Sequence, residues 1–200
     1  MASLTNGDNG DSRYNKDSKH AIRLSPEMIS KFALGKKIGK GAHGIVVHAT
    51  RQSDGQVGVL KSIAKRDPFE TEVKVYTTVK PHAGIAQLYE SFAGEPNYLF
   101  LEYITGTNMR DESYTVDYIA YYIRQICLIL QHLHSSGFVY VDIKSENFIE
   151  SNDQIKLIDF GLAEPIGSPM GRIGTIYFMP PEMVDRIGTF QPTVDIWALG

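Results

Sequence analysis

Residues 138–161 read FVYVDIKSENFIESNDQIKLIDFG, and the reading of the whole chain turns on them. Two apolar, strand-like pieces, joined by the polar turn Glu150-Ser151-Asn152-Asp153-Gln154, bracket two acidic sites, Asp142 and Asp159. Asp142 is followed by Lys144 and Asn147, which puts a carboxylate, an ammonium and an amide oxygen on one loop. That is the equipment of phosphoryl transfer: a carboxylate to orient a hydroxyl nucleophile, a cation over the moving group, and hard oxygens for Mg2+. Asp159 leaves the second piece and is followed by Gly161, whose missing Cβ lets a loop turn sharply or switch. Either site alone is most simply a hairpin with solvated carboxylates. Two at this spacing, with partners upstream, favour the chemical reading.

Working upstream, residues 32–39 and 45–51 are strand-like and are joined by Gly39-Lys40-Gly41-Ala42-His43-Gly44. A glycine-rich turn between strands lets backbone amides approach a polyphosphate, with His43 at the tip placed to close over it. On its own this is as well explained by a flexible hairpin. A dinucleotide-binding loop would pass from strand into helix, whereas Ile45-Val46-Val47-His48 continues as strand. Residues 57–63 form the next strand, with Lys61 inside an apolar run. A lysine there snorkels to solvent or meets an anion; the glycine loop just before it favours the α and β phosphates of ATP. Residues 68–80 read as a helix with Val73, Tyr76 and Val79 on one face, and residues 85–92 and 98–104 as two more strands, completing a five-stranded antiparallel sheet.

Outside this frame, residues 1–24 lack any apolar period and are expected to be disordered. Ser25-Pro26-Glu27 predicts a short helix to about Lys31, with Ser as N-cap and Pro at the first helical position. The longest helical signal covers residues 115–135, with Ile119, Ile123, Ile126, Leu130 and Leu133 as its apolar stripe and Gly137 as the cap. The single cysteine, Cys127, lies among Ile126, Leu128 and Ile129 and is expected in the core. Residues 162–173 form a Gly- and Pro-containing loop.

With 20 Lys and Arg against 23 Asp and Glu, the net charge of -3 advertises neither nucleic acid nor an acidic membrane surface. No apolar run reaches a membrane span, and Ala2 stands where N-myristoylation needs glycine. The expectation is an intracellular protein, cytoplasmic or nuclear.

The segment around Asp142 and Asp159 resembles the catalytic loop and Asp-Phe-Gly segment of the eukaryotic protein kinases, serine/threonine type, and the resemblance runs from about residue 32 to 200. It implies an α+β, two-lobed fold: a kinase domain over 25–200, with an N-lobe over about 32–104 (the five-stranded antiparallel sheet and one helix) and a mainly helical C-lobe from about 105. ATP and Mg2+ are the implied cofactors and a protein hydroxyl the acceptor. In these terms Asp142 positions the nucleophile, Lys144 stabilises transferring charge, and Asn147 and Asp159 hold Mg2+. The nucleotide lies against Ile38, Gly39, Lys40, Gly41, Ala42, His43, Gly44, Ile45 and Val46, with Val59 in place of the usual alanine. Lys61 pairs with Glu72, or with Glu70 as second choice. Leu101 stands at the gatekeeper position, and Glu102 and Tyr103 offer hinge backbone groups to adenine. Asn108 stands where an acidic ribose contact is common, Thr175 faces Asp142 and Lys144, and Asp195 braces the catalytic loop.

Two departures from the family pattern matter. The usual His-Arg-Asp is Tyr140-Val141-Asp142, which removes the arginine that captures an activation-loop phosphate, so phosphorylation of Ser168 or Thr175 is not expected to activate. The sequence stops at Gly200, before the later C-lobe helices, which implies either an incomplete sequence or a shortened protein whose C-lobe a partner covers. The rival reading is a pseudokinase or truncated decoy acting by binding. A small-molecule kinase is disfavoured by residues 174–182, which suit an extended peptide.

Overall fold

The computed structural model describes residues 24–41 and 44–200. Helix α1 (Pro26–Lys31) starts as its sequence dictates, with Ser25 Oγ accepting the Met28 amide at 3.3 Å and Pro26 where no helical N–H is needed. The disordered tail expected over 1–24 lies outside the described residues apart from Leu24, which packs with Met28 against the sheet.

Strands β1 (Phe32–Gly41), β2 (Gly44–Arg51) and β3 (Val57–Ile63) precede helix α2 (Arg66–Thr78) and strands β4 (Leu88–Phe92) and β5 (Asn97–Glu102). The five strands form the expected antiparallel sheet, in the order β1-β2-β3-β5-β4. Alternation along β3 sorts its side chains between two cores. Leu60 faces Met28, Phe32, Val47, Ala49, Tyr98 and Phe100 under α1, while Ile63 faces Phe69, Leu99 and Leu101 under α2. Lys61 shares a face with Val59 and Ile63, so the strand period alone turns its ammonium towards α2.

Several boundaries differ from those expected. β4 starts at Leu88 rather than 85, because Gly84 and Ala86 exchange backbone hydrogen bonds with Leu157 of the other lobe and Ile85 bridges the same residue. β5 ends at Glu102, where the chain crosses between lobes. α2 begins at Arg66, with Pro68 in its first turn, where a missing amide hydrogen has no helical partner to lose. Its buried side chains are Phe69, Glu72 and Val75. Val73 and Tyr76 of the expected face are only half-buried, and Val79 caps the end.

The second lobe opens with β6 (Thr107–Asn108) and α3 (Val116–Ser135), followed by β7 (Phe138–Val139), the hairpin β8 (Phe148–Ser151) and β9 (Gln154–Leu157), β10 (Glu164–Pro165), α4 (Pro181–Asp185) and α5 (Thr193–Leu199). Gly137, at φ 89°, makes the left-handed exit from α3. The buried stripe of α3 is Tyr122, Ile126, Ile129, Leu130 and Leu133, packed on Phe148, Ile155 and Leu157, whereas Ile119 is 48% exposed. Cys127 is exposed rather than in the core: it follows Ile126 by one residue, a rotation of about 100° out of the buried stripe. The expected loop over 162–173 contains β10, which pairs with β7.

Side-chain ties between the lobes include one through β9 and one through α3. Lys156 of β9 reaches Glu102 at 2.5 Å, and His132 of α3 lies 2.8 Å from the Lys80 carbonyl with its ring stacked on His82 at 4.8 Å. No helix among the described residues is long and apolar enough to cross a membrane.

Candidate active site

Three pieces of chain converge where the lobes face each other. From the sheet, Lys61 Nζ meets Glu72 Oε1 of α2 at 2.5 Å and Asp159 Oδ1 at 3.0 Å. Glu72 is fully buried and Lys61 nearly so. Burial opposes the charge on Lys61, but the Glu72 and Asp159 carboxylates outweigh it and raise its pKa above the ordinary lysine value. Glu70, the second choice, instead pairs with Arg66 on the surface.

The residues that follow Asp142, together with Thr175, form a closed network around it. Its Oδ2 accepts from Lys144 Nζ at 2.5 Å and from Asn147 Nδ2 at 3.1 Å, and its Oδ1 accepts from the Thr175 hydroxyl at 2.8 Å. Asn147 Nδ2 also donates to the Asp142 carbonyl at 2.9 Å, which commits the amide nitrogen inward and leaves the amide oxygen as the free acceptor. Gly174, at φ 95°, brings the following Thr175 up to this network, and a Cβ there would stand 3.3 Å from the Val141 carbonyl.

Beneath the network, Asp195 Oδ2 and Oδ1 accept the amides of Tyr140 and Val141 at 2.8 Å each, and His134 Nε2 lies 2.7 Å from Oδ2. Val141 is held at φ 75°, an outlier for a β-branched residue, and the Asp195 bond spans the strained unit. Asp195→Ala leaves two buried N–H groups without acceptors, each costing about 1–3 kcal/mol. Urea unfolding is therefore expected to shift to a clearly lower midpoint; an unchanged midpoint would show that water replaces the carboxylate.

Aromatic packing couples these pieces. The Phe160 ring meets Tyr76 of α2 edge to face at 4.9 Å and Tyr140 of the catalytic loop at 5.8 Å, while the Tyr140 hydroxyl donates to the Ile158 carbonyl at 3.1 Å. Burial, reinforced by nearby carboxylates, pushes both tyrosines well above the ordinary pKa and keeps them as neutral rings. Tyr140 and Tyr76 carried no assigned site role in the sequence reading. Their positions, Tyr140 two residues before Asp142 and Tyr76 one helical turn after Glu72, are the signals available for them.

The remaining expected residues line the same cleft less uniformly. Gly39, Lys40 and Gly41 pair through their backbones with Val46, Ile45 and Gly44 across the β1–β2 turn, and Ile38 is 45% exposed. Ala42 and His43 lie outside the described residues, so the lid assigned to His43 has no counterpart among them. Gly44 has a hard steric reason to be glycine: at φ 150° a Cβ would lie 1.6 Å from the Ser62 carbonyl oxygen. Val46 pairs with Lys61, and Val59 with His48 and Leu101. Leu101 is buried, and Glu102 ends β5 with its side chain on Lys156 and the Gln87 amide. Tyr103 follows, its ring against His48 at 5.0 Å. Asn108 is occupied structurally, its Nδ2 donating to the Glu146 carbonyl and its Oδ1 accepting from the Arg110 amide.

Residues 32–200 match the family model described as the protein kinase domain. Similar curated proteins include an Aurora kinase of Eremothecium gossypii, 33% identical over 196 residues that cover 89% of this chain and 53% of that protein. An Aurora kinase of Saccharomyces cerevisiae is 33% identical over 203 residues, covering 92% and 54%. The human serine/threonine-protein kinase PAK 4 is 30% identical over 179 residues, covering 82% and 30%. The chain thus spans about half the length of the Aurora kinases it matches. A sheet lysine paired to a helix glutamate, Asp159 closing on the same lysine, and a match over residues 32–200 lead to one assignment: this chain belongs to the protein kinase domain family.

Proposed function

We propose that the protein transfers the γ-phosphoryl group of ATP to a serine or threonine hydroxyl of a protein substrate. The observation that carries this reading is the Thr175 hydroxyl donating at 2.8 Å to Asp142: the carboxylate already accepts from an alcohol, which is the interaction a substrate hydroxyl requires. Lys144, 2.5 Å from the same carboxylate, stands where charge on the transferring group would be neutralised. Lys61, oriented by Glu72, is the cation for the nucleotide phosphates, and the mouth formed by residues 38–41 and 44–46, Val59, Glu102 and Tyr103 receives the base and phosphates.

The donors present fit a magnesium-bound nucleotide. The free amide oxygen of Asn147 and the carboxylate of Asp159 are hard oxygen donors, and among the described residues no cluster of three or more His, Cys, Asp or Glu forms a self-sufficient metal cage. Asn147 and Asp159 would hold Mg2+, which supplies charge neutralisation on the phosphates. The relatives named as serine/threonine kinases support the same acceptor chemistry.

Incubation with γ-labelled ATP, Mg2+ and a basic acceptor protein is expected to place label on acceptor serine and threonine. ATP binding without any transfer, together with a stable complex with the acceptor, would overturn the catalytic reading in favour of a binding role.

A further inference from the structure

Backbone hydrogen bonds and apolar packing hold the activation segment, residues 162–175. Gly167 N donates to the Phe190 carbonyl at 2.8 Å, Phe190 N to the Ser168 carbonyl at 2.9 Å, and Met170 N to the Gly188 carbonyl at 3.0 Å. Met170 and Ile173 then pack on a buried cluster of Val139, Val141, Met183, Phe190 and Val194. Val141 precedes Asp142 directly, so the seating of this segment and the position of the catalytic carboxylate share one apolar contact.

Ser168 is the only hydroxyl-bearing residue within 162–174, and its hydroxyl closes the turn from inside. It donates to the Pro165 carbonyl at 2.7 Å and lies 3.3 Å from Glu164 Oε2, while Ser168 N donates to the same Pro165 carbonyl at 3.1 Å. The flanking Gly167 and Pro169 are exposed, which leaves the backbone on either side within reach of a modifying enzyme once the turn opens. A phosphate on Oγ removes the donor hydrogen and brings about -1.5 to -2 charge against Glu164. Burial already raises the Glu164 pKa, and Lys74 is the cation that acts on it; one lysine does not balance a carboxylate and a phosphate together. Val141, before Asp142, offers no charge to such a phosphate and is buried among Val139, Met183, Phe190 and Val194.

We propose that Ser168 is an inhibitory phosphorylation site: a phosphate on its hydroxyl unseats residues 164–175 and, through the Val141 cluster, disorders the catalytic loop. The following Pro169 directs the modification to a proline-directed kinase acting in trans with ATP. The γ-phosphorus exchanges its bond to the β-bridging oxygen for a bond to Ser168 Oγ, ADP leaves, and the hydroxyl proton passes through that enzyme's base to solvent. The modified turn cannot close again, so the phosphate traps the open state.

The rate arm of the test rests on the kinase reading above; the structural arm does not. Protein carrying the whole chain is phosphorylated by a proline-directed kinase, and both forms are compared by peptide phosphorylation and by amide hydrogen exchange. The expected result is a fall of at least tenfold in transfer rate at unchanged ATP KM, with faster exchange across 164–175. Ser168→Ala takes no phosphate there, and its rate does not change on treatment with the modifying kinase. Ser168→Asp reproduces part of the loss, and Glu164→Gln in the same chain restores part of it. An equal or higher rate after modification, unchanged exchange, or failure of Ser168 to accept phosphate overturns the proposal. If the unmodified protein transfers nothing, the kinase reading fails and the exchange arm alone decides whether the turn opens.

Discussion

Asp142→Ala is expected to lower the rate of phosphoryl transfer by about 10³-fold, within the range for loss of a positioned general base, while nucleotide affinity stays near that of the unaltered protein. The separation follows from where Asp142 sits. Its contacts are to Lys144, Asn147 and the Thr175 hydroxyl, whereas Lys61 is held by Glu72 and Asp159, so the nucleotide-facing cation keeps both of its partners. Asp142→Asn is the sharper variant, because it preserves shape and an acceptor oxygen and removes only the charge; a loss of similar size is expected. Single-turnover rates and nucleotide titration distinguish the effects. Equal losses in binding and transfer would mean that Asp142 supports the fold of the cleft rather than the reacting hydroxyl.

The second large effect is expected at Lys61. Replacing it with methionine leaves Glu72, fully buried, beside Asp159 with no intervening cation, and breaking a buried pair on one side costs about 3–5 kcal/mol. Lys61→Met is therefore expected both to abolish transfer and to lower the urea midpoint. Combining it with Glu72→Leu removes the carboxylate that Lys61 neutralised and should recover most of the stability, since buried pairs exchanged for apolar side chains are commonly neutral or better. Transfer should not return. Recovery of transfer in the double variant would exclude Lys61 as the phosphate-holding cation, and an unchanged midpoint in the single variant would show that solvent reaches Glu72.

Sequence and structure agree best where a residue's role depends on near neighbours. Ser25 caps α1 and β3 covers Val57–Ile63 as read, because capping and strand alternation are local. The meeting of Lys61 with Glu72 and of Thr175 with Asp142 was expected from resemblance, and spacing alone left Glu70 open. The faces of the longer helices were harder. On α3 two aliphatic stripes overlap, and the choice between Ile119–Ile123 and Tyr122–Ile129 is made by the β8–β9 hairpin beneath the helix; Cys127 misled for the same reason. The ties between lobes, Lys156 to Glu102 and His132 to the Lys80 carbonyl, join residues far apart in the chain and left no periodic trace. The bracing of the loop by Asp195 could be foreseen from the family pattern, but the companion contact from His134 could not.

The bonds from Asp195 to the Tyr140 and Val141 amides also have a meaning in time. The acceptor lies 55 residues downstream of Tyr140, so a chain growing from its N-terminus makes the catalytic loop well before it makes the side chain that holds the loop in shape. At about 5–20 residues per second, that interval is roughly 3–10 s on the ribosome. During it, the Tyr140 and Val141 amides lack their carboxylate acceptor, and the left-handed backbone at Val141 lacks the hydrogen bond that spans it. The nascent protein can bury its sheet while the backbone ahead of Asp142 still waits for its acceptor, so the loop takes its final shape only when α5 has emerged and docked.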